Sequence, residues 1–265
     1  MIIIGERLNS SRRPVLEALR DRNAAYVLKE AAAQERAGAD YIDINAAAVL
    51  GRETEVLTWI IPLVQGKLRV PLSIDTPNLE AMEAGLRLHK GQALLNSLTG
   101  ETERVRRFLP LIQEHRPRVI ALCLDDQGIP TTAEQEVAIA GRLIEVLTRA
   151  GVAAHDIFLD PLVRPVSVDE QAVTLFLDSL DRIKQRFPQV GTVAGISNVS
   201  FGLPQRRLLN RALLALASMR GLDAAILDPL DREIVAERIA VRALLGRDPS
   251  FKDYLAFARK IRKQT

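Results

Sequence analysis

Eight short apolar segments alternate with amphipathic helical segments along the chain, and this alternation is the feature that most constrains its fold. Each short segment is nearly continuous in apolar residues, which is typical of strands that are covered on both faces in a parallel sheet. Eight strand–helix units in about 250 residues predict a TIM (β/α)8 barrel, an α/β fold formed as a single domain over residues 1–265. The predicted strands span residues 2–6, 41–45, 71–75, 93–97, 119–125, 157–161, 192–198 and 224–228.

A doubly wound open sheet is the alternative architecture, but no GxGxxG motif follows the first strand. Amphipathic helices are predicted over residues 78–89, 101–115 and 132–151, several with capping or acidic residues in the first turn. A last helix over residues 251–263 is expected to close the barrel or to join an interface.

Composition and charge exclude several classes of function. No apolar run reaches the roughly 20 residues that span a bilayer, and "MIIIGERLN" lacks the basic region of a signal peptide, so we expect a cytoplasmic protein. Aromatic residues make up only 4% of the chain and no nucleic-acid-binding motif is present. The basic segment 257–265 is therefore interpreted as a solvated helical face. Cys123 is the only cysteine, which excludes an internal disulfide bond.

Polar side chains recur where the predicted strands end, which is where TIM barrels carry their chemistry. Burying so many polar groups at one mouth is costly unless they meet a ligand or each other, so we expect a binding site there. The residues are Glu6, Asn9, Asp43, Asn45, Asp75, Asn96, Asp125, Asp160, Ser197, Asn198 and Asp228.

The make-up of this polar set limits the reaction. It contains no histidine, no lysine and no Ser-His-Asp combination. Carboxylates alone could bind a metal, but Asn96 and Asn198 are interleaved with them, which favours hydrogen bonding to a flat, nitrogen-rich ring over ion binding. We expect no bound metal, because the three histidines and Cys123 show no ligand spacing. Cys123 is interpreted as an inert core thiol.

Six ordered motifs carry a resemblance to a known family: "GERLN", "DYIDINAAA", "LSIDTPN", "LLNS", "FLDPLV" and "GISNVSFGLP". Together they resemble the pterin-binding methyltransferases that move a methyl group between 5-methyltetrahydrofolate and a corrinoid protein. The resemblance covers essentially the whole chain. It implies a TIM barrel, usually a homodimer, with tetrahydrofolate or 5-methyltetrahydrofolate as substrate.

The resemblance also implies roles for individual residues. Asp75, Asn96 and Asp160 match the family's ligands of the pterin ring, and Asn198 matches the residue that hydrogen-bonds N5. The resemblance extends, with weaker matches, to positions lining the pterin site and its glutamyl-benzoate side, namely Glu6, Asn45, Ser197 and Arg207.

The chemistry of methyl transfer explains a neutral amide at Asn198. The departing amine nitrogen gains negative charge, so a neutral donor strengthens its hydrogen bond in the transition state. The proton is expected from solvent or from a carboxylate network that includes Asp160. The corrinoid (cobalamin) is expected on a separate partner protein that docks over the mouth, because the chain has no DxHxxG signature.

Two other functions and the direction of transfer stay open at this point. Dihydropteroate synthase shares the barrel and a similar pocket, but its Ser/Thr-Arg-Pro-Gly loop after the second strand is absent from "NAAAVLGRETE". A non-catalytic folate-binding subunit is the second alternative. The motifs serve acetogenic carbon fixation and demethylation of methyl compounds equally well.

Overall fold

All eight predicted strands form in the structure, a computed structural model that describes residues 1–262. The strands pair in chain order, all parallel, and β8 pairs with β1 to close the barrel. The predicted TIM barrel is therefore confirmed and the open-sheet alternative is wrong. The strands are β1 (Ile2–Asn9), β2 (Tyr41–Asn45), β3 (Leu72–Asp75), β4 (Leu94–Thr99), β5 (Arg118–Leu122), β6 (Ile157–Asp160), β7 (Gly191–Gly195) and β8 (Ala224–Leu227).

Helices surround the barrel, and several begin at the caps that the sequence indicates. The Thr132 hydroxyl accepts from the Gln135 N–H, and the Gln135 side chain accepts from the Thr132 N–H, which is a capping box. The helices are α1 (Arg13–Arg20), α2 (Ala24–Arg36), α3 (Glu53–Gln65), α4 (Leu79–Leu88), α5 (Thr102–His115), α6 (Ala133–Arg149), α7 (Ala172–Arg186), α8 (Arg206–Met219), α9 (Arg232–Leu244) and α10 (Lys252–Arg262).

Two strands, β5 and β7, end three residues earlier than the apolar pattern predicts. The prediction continued β7 to Asn198, but β7 ends at Gly195 and a 3₁₀ turn follows over Ile196–Ser200. Ile196 and Val199 are both buried at a spacing of three, which is helical rather than strand-like. The prediction for β5 is too long in the same way, because the chain leaves the sheet after Leu122 and turns at 125–128.

An apolar floor fills the lower half of the barrel interior. One residue from each of seven strands points inward, and none of them is more than 6% exposed. Gly191 leaves room for one of them, because a Cβ there would lie 2.5 Å from the ring of Phe158. The floor therefore closes the barrel on the N-terminal side of the strands, and it consists of Ile4, Tyr41, Leu94, Ile120, Phe158, Val193 and Ala224.

A larger core lies between the sheet and the helices. Ile44, Ile74 and Leu95 point outward from neighbouring strands and are fully buried against the helices. Burying each such side chain contributes about 1.5–3 kcal/mol to folding. Cys123 lies in this layer as a buried free thiol, away from the barrel interior. In the described part of the chain, no helix is long and apolar enough to cross a membrane.

The last helix lies outside the barrel. α10 packs against α9, whereas β8 and β1 close the sheet by direct pairing, so the expectation that this helix closes the barrel is wrong. The predicted helix extends to residue 263, and residues 263–265 of the basic segment lie outside the described residues.

Candidate functional site

A cavity of about 750 Å³ opens at the C-terminal ends of the strands, above the apolar floor. Seven of the eight predicted site residues line it, and the exception is Asn45. Strand register explains part of this convergence, because Asn45 pairs with Asp75, and Asp75 pairs with Asn96 across three neighbouring strands. The cavity is therefore the candidate site that the strand ends predict.

Asp43 lies at the base of this cavity and is only 2% exposed. Its Oδ1 accepts a hydrogen bond from Ser73 Oγ at 2.6 Å and another from Asn96 Nδ2 at 3.1 Å. Burial, and then the neighbouring carboxylate of Asp75, raise the pKa of Asp43 well above its usual range. Asp43 therefore tends to hold a proton deep in the cavity.

Asp75 is held in place by a chain of two side chains. Asn45 Nδ2 donates to Asp75 Oδ2 at 2.9 Å, and Asn45 Oδ1 accepts from Ser10 Oγ at 2.9 Å. Both ends of the Asn45 amide are thus bonded to protein atoms. The sequence predicts that Asn45 lines the cavity, but in the structure it does not line it and instead orients Asp75 from the side. Burial raises the pKa of Asp75 to about 6.

Asp160 and Glu6 are two further carboxyl groups with raised pKa values. Burial raises the pKa of Asp160 to about 7, although its Oδ1 accepts a bond from Leu162 N at 2.8 Å. Burial also raises the pKa of Glu6 to about 7, and Ser197 Oγ donates to Glu6 Oε2 at 3.0 Å. Near neutral pH each group is therefore protonated in a large fraction of the molecules.

Asn198 presents an uncommitted amide to the cavity. It lies in the 3₁₀ turn after β7, is exposed, and its side chain makes no hydrogen bond to any of residues 1–262. The amide rests against Gly195, where an added Cβ would lie 2.9 Å from Asn198 Nδ2. The neighbouring glycine therefore leaves the space that the amide occupies.

Arginines lie at one side of the mouth. Arg206 donates to the Ser197 carbonyl at 2.6 Å and to Ser200 Oγ at 3.0 Å. Arg207, which the sequence analysis favoured, lines the mouth too, but its side chain is 73% exposed and pairs with Asp231 at 3.3 Å. Of the two, Arg206 is the one bonded to the turn that carries Asn198.

Two of the strand-end carboxylates have other partners. Asp228 lines the cavity but pairs with Arg7 at 2.7 Å, which links β1 to the end of β8. Asp125 forms an ion pair with Arg142 of α6 and lies outside this cavity.

Sequence reasoning left Asp43 and Arg206 out of the residues assigned to pterin. The signal for Asp43 was present, because it lies two residues before Asn45 and successive inward positions on a strand differ by two. Nothing in the sequence separates Arg206 from Arg207, because the choice depends on how the turn Ile196–Ser200 meets the start of α8.

The cavity wall offers several hydrogen-bond acceptors, and some of its carboxyl groups also carry a proton near neutral pH. Asp75 and Asp160 each keep one oxygen free of protein partners in the described residues, and Asn96 keeps its Oδ1 free because its Nδ2 donates to Asp43. Such a wall suits a flat ring that carries several N–H donors. The raised pKa values of Glu6 and Asp160 also allow it to exchange a proton at neutral pH.

We expect Asp160→Asn to stabilise the ligand-free protein by up to about 4 kcal/mol at pH 8, because each unit of pKa shift equals about 1.4 kcal/mol and the pKa of Asp160 is raised to about 7. The folded pKa of Asp160 is raised, so folding takes up protons and wild-type stability falls as the pH rises from about 4 to about 7. The advantage of the variant should therefore shrink as the pH is lowered toward 4. Urea unfolding at pH 5 and pH 8, with exposed Asp178→Asn as control, measures this. An equal difference at both pH values contradicts the raised pKa.

Comparison with known proteins adds to this geometry. The family model described as "Pterin binding enzyme" matches residues 5–228. The chain is 34% identical to "Methylcorrinoid:tetrahydrofolate methyltransferase" of Eubacterium limosum over 96% of this chain and 94% of that protein. It is 30% identical to a methionine synthase of Mycobacterium leprae over 85% of this chain, but that match spans only 20% of the synthase.

Solved structures show the same fold at low identity. A dihydropteroate synthase of Xanthomonas albilineans superposes with a TM-score of 0.71 at 19% identity, covering 92% of each chain. One from Yersinia pestis gives a TM-score of 0.66 at 19% identity, covering 92% of this chain and 93% of that one. These likenesses concern the barrel alone. The family match and the nearly full-length relative show that the chain belongs to the pterin-binding enzymes.

Proposed function

We propose that this chain is a methyltransferase that moves a methyl group between N5 of tetrahydrofolate and the cobalt of a corrinoid held by a separate protein. The observation that carries the proposal is the cavity wall of free carboxylate and amide oxygens at the strand ends. The nearly full-length similarity to the Eubacterium limosum methyltransferase supports the same reaction. We also propose that residues 1–265 belong to one domain.

The cavity wall fits the hydrogen-bonding pattern of a tetrahydropterin. The reduced ring offers N–H donors from its 2-amino group, N3 and N8, and these need acceptors. Asp75, Asn96 and Asp160 each offer a free oxygen in the cavity. We propose that these three hold the ring edge, with Asn45 keeping Asp75 in position. The volume of about 750 Å³ is ample for the ring.

Asn198 is proposed to act at N5. The bond between N5 and the methyl group breaks, and N5 gains negative charge until it takes a proton. The free amide of Asn198 can donate a hydrogen bond that strengthens as this charge develops, which favours the transition state over the bound substrate. A carboxylate at this position would instead repel the charge. The same transition state is crossed in both directions, so the amide helps either.

The proton for N5 is proposed to pass through the carboxyl groups of the cavity. Methyl donation by the folate consumes one proton at N5, and methyl acceptance releases one. Asp160 and Glu6 have pKa values raised to about 7, so each can give or take a proton at neutral pH. We assign Asp160 to this network, with Ser197 holding Glu6 through its hydroxyl.

The second substrate is proposed to arrive from above the mouth. The apolar floor closes the opposite end of the barrel, so the mouth is the way in. The corrinoid supplies the cobalt that receives or donates the methyl group. Among residues 1–262, no group of three or more His, Cys, Asp or Glu side chains is arranged to hold a metal ion.

We propose that Arg207, together with Arg206, binds the glutamyl-benzoate side of the folate.

An anaerobic cobalamin assay tests the proposal. Co(I) cobalamin, in place of the corrinoid protein, is mixed with 5-methyltetrahydrofolate and catalytic amounts of the protein. The expected result is enzyme-dependent loss of the Co(I) absorption band and formation of methylcobalamin, with none when the folate is omitted. If neither free cobalamin nor a corrinoid protein is methylated, and dihydropteroate forms from the pterin pyrophosphate and 4-aminobenzoate, the synthase alternative holds instead.

We propose a homodimer in the cytoplasm, formed through an apolar face on α8 and α9. Leu216 and Met219 on α8 and Leu244 on α9 are exposed, at 47%, 71% and 85%. Burying such side chains in an interface removes their apolar area from water. Light scattering should give twice the 29.3 kDa chain mass. Met219→Glu should shift the protein toward the monomer mass, and a wild-type monomer at all concentrations would contradict the dimer.

A further inference from the structure

We infer that Asp43 is a positioning residue that fixes the orientation of the Asn96 amide, so that the pterin ring meets Asn96 Oδ1 and not Nδ2. The inference rests on the proposed function, in which Asn96 holds the ring edge, and adds to it a residue that determines which atom Asn96 offers. An asparagine amide can occupy one space in two orientations, which exchange an acceptor for two donors. Some neighbouring group must select one of them.

The contacts of Asp43 make that selection. Asn96 Nδ2 lies 3.1 Å from Asp43 Oδ1, and both side chains are buried. Because Asp43 Oδ1 is an acceptor, only the nitrogen end of the amide can face it without two oxygens meeting. The carbonyl end of Asn96 is then directed away from Asp43, and Asn96 lines the cavity.

Ser73 keeps Asp43 Oδ1 an acceptor in both charge states of the carboxyl group. Its hydroxyl, fully buried, donates to the same Oδ1 at 2.6 Å, so that oxygen accepts two hydrogen bonds. Asp43 Oδ2 has no hydrogen-bond partner among residues 1–262, so a proton taken up by the raised-pKa carboxyl group goes to Oδ2. The orientation of Asn96 is therefore the same whether Asp43 is ionised or neutral.

The orientation matters because the reduced pterin edge is rich in N–H groups. Asn96 Oδ1 can accept from one of them, whereas a reversed amide would set Nδ2 against an N–H and leave two donors unpaired. An unpaired buried polar group weakens binding by about 10- to 100-fold. In the proposed binding mode the free oxygens of Asp75 and Asp160 accept other N–H groups of the ring, so neither replaces Asn96 Oδ1.

Binding of 5-methyltetrahydrofolate to four variants, measured by calorimetry, tests the inference. Asp43→Ala removes the selecting oxygen and should weaken binding about 10- to 100-fold. Asp43→Asn should stay within about threefold of the wild type, because its own Oδ1 can still accept from Ser73 and Asn96. Asn96→Asp should weaken binding about 100-fold, because the amide donor to Asp43 Oδ1 is then replaced by a second carboxyl oxygen. The double variant Asp43→Asn/Asn96→Asp should recover at least about tenfold of that loss.

The pattern separates orientation from other roles. If Asp43 acted through its charge, or bound the ring itself through Oδ2, Asp43→Asn would lose as much affinity as Asp43→Ala. A double variant that loses the product of the two single losses would also overturn the inference. Should Asp43→Ala fail to fold, the other three variants still decide. Asp178→Ala and Asp178→Asn, the same changes at an exposed carboxylate of α7, should bind like the wild type. Wild-type protein that binds no folate would instead refute the proposed function.

Discussion

Replacing Asn198 by alanine is expected to lower the rate of methyl transfer by about 10²–10³-fold, the range found for single donors to a developing negative charge. The variant loses the one free amide that faces the cavity from the turn after β7. Pterin affinity falls much less than the rate, because the bond is strongest when N5 carries charge. Single-turnover kinetics at saturating folate measure the effect on the chemical step.

Two companion variants test this assignment further. Asn198→Asp keeps the size of the side chain but removes the donor, so we expect it to be at least as slow as Asn198→Ala. Gly195→Ala leaves residue 198 unchanged, and the backbone at position 195 (φ −76°) accepts alanine. Its Cβ would nevertheless displace the Asn198 amide, so the rate should fall here too. Wild-type rates in Asn198→Ala would remove this residue from the mechanism.

Replacing Asp75 by alanine is expected to weaken binding of 5-methyltetrahydrofolate by about 10²–10³-fold, because it removes a half-buried charged acceptor from the proposed ring edge. The expected change lies mainly in affinity, since Asp75 holds the ring and does not act at N5. Calorimetric titration with the folate measures it.

The neighbouring Asn45 provides the matched comparison for Asp75. Asn45→Ala leaves the carboxylate in place and removes only the bond that orients it, so its loss of affinity should be clearly smaller. In this variant the buried Ser10 hydroxyl loses the acceptor of its proton and keeps the hydrogen bond that it accepts from Ala48 N. Normal binding in Asp75→Ala would mean that the pterin site has been assigned to the wrong wall.

The barrel could be predicted from the sequence because its strands are buried on both faces. β2 matches its predicted bounds, Tyr41–Asn45. The ends of β5 and β7 could not be predicted in this way. There the apolar residues continue beyond the sheet, and Ile196 is buried by a helical turn instead of a strand. Apolarity reports burial and not the backbone conformation that achieves it.

The candidate site was predictable to the level of strand ends, but not of individual contacts. Asp75 and Asp160 line the cavity because each is the last residue of its strand and its side chain points into the barrel. Asn45 ends a strand in the same way, yet its amide is used up by Ser10 and Asp75. Such a difference depends on side-chain geometry between elements that are distant in the sequence.

The apolar floor has a consequence for the order of events in the proposed reaction. Side chains such as Ile120 and Phe158 close the lower end of the barrel, so the folate and the corrinoid protein must approach the site through the same opening. A partner seated over the mouth would trap a bound folate and bar a free one. Each turnover then requires the folate to enter first and the partner to leave before the folate is exchanged. Dissociation of the partner, rather than the chemical step, can therefore limit the rate of turnover.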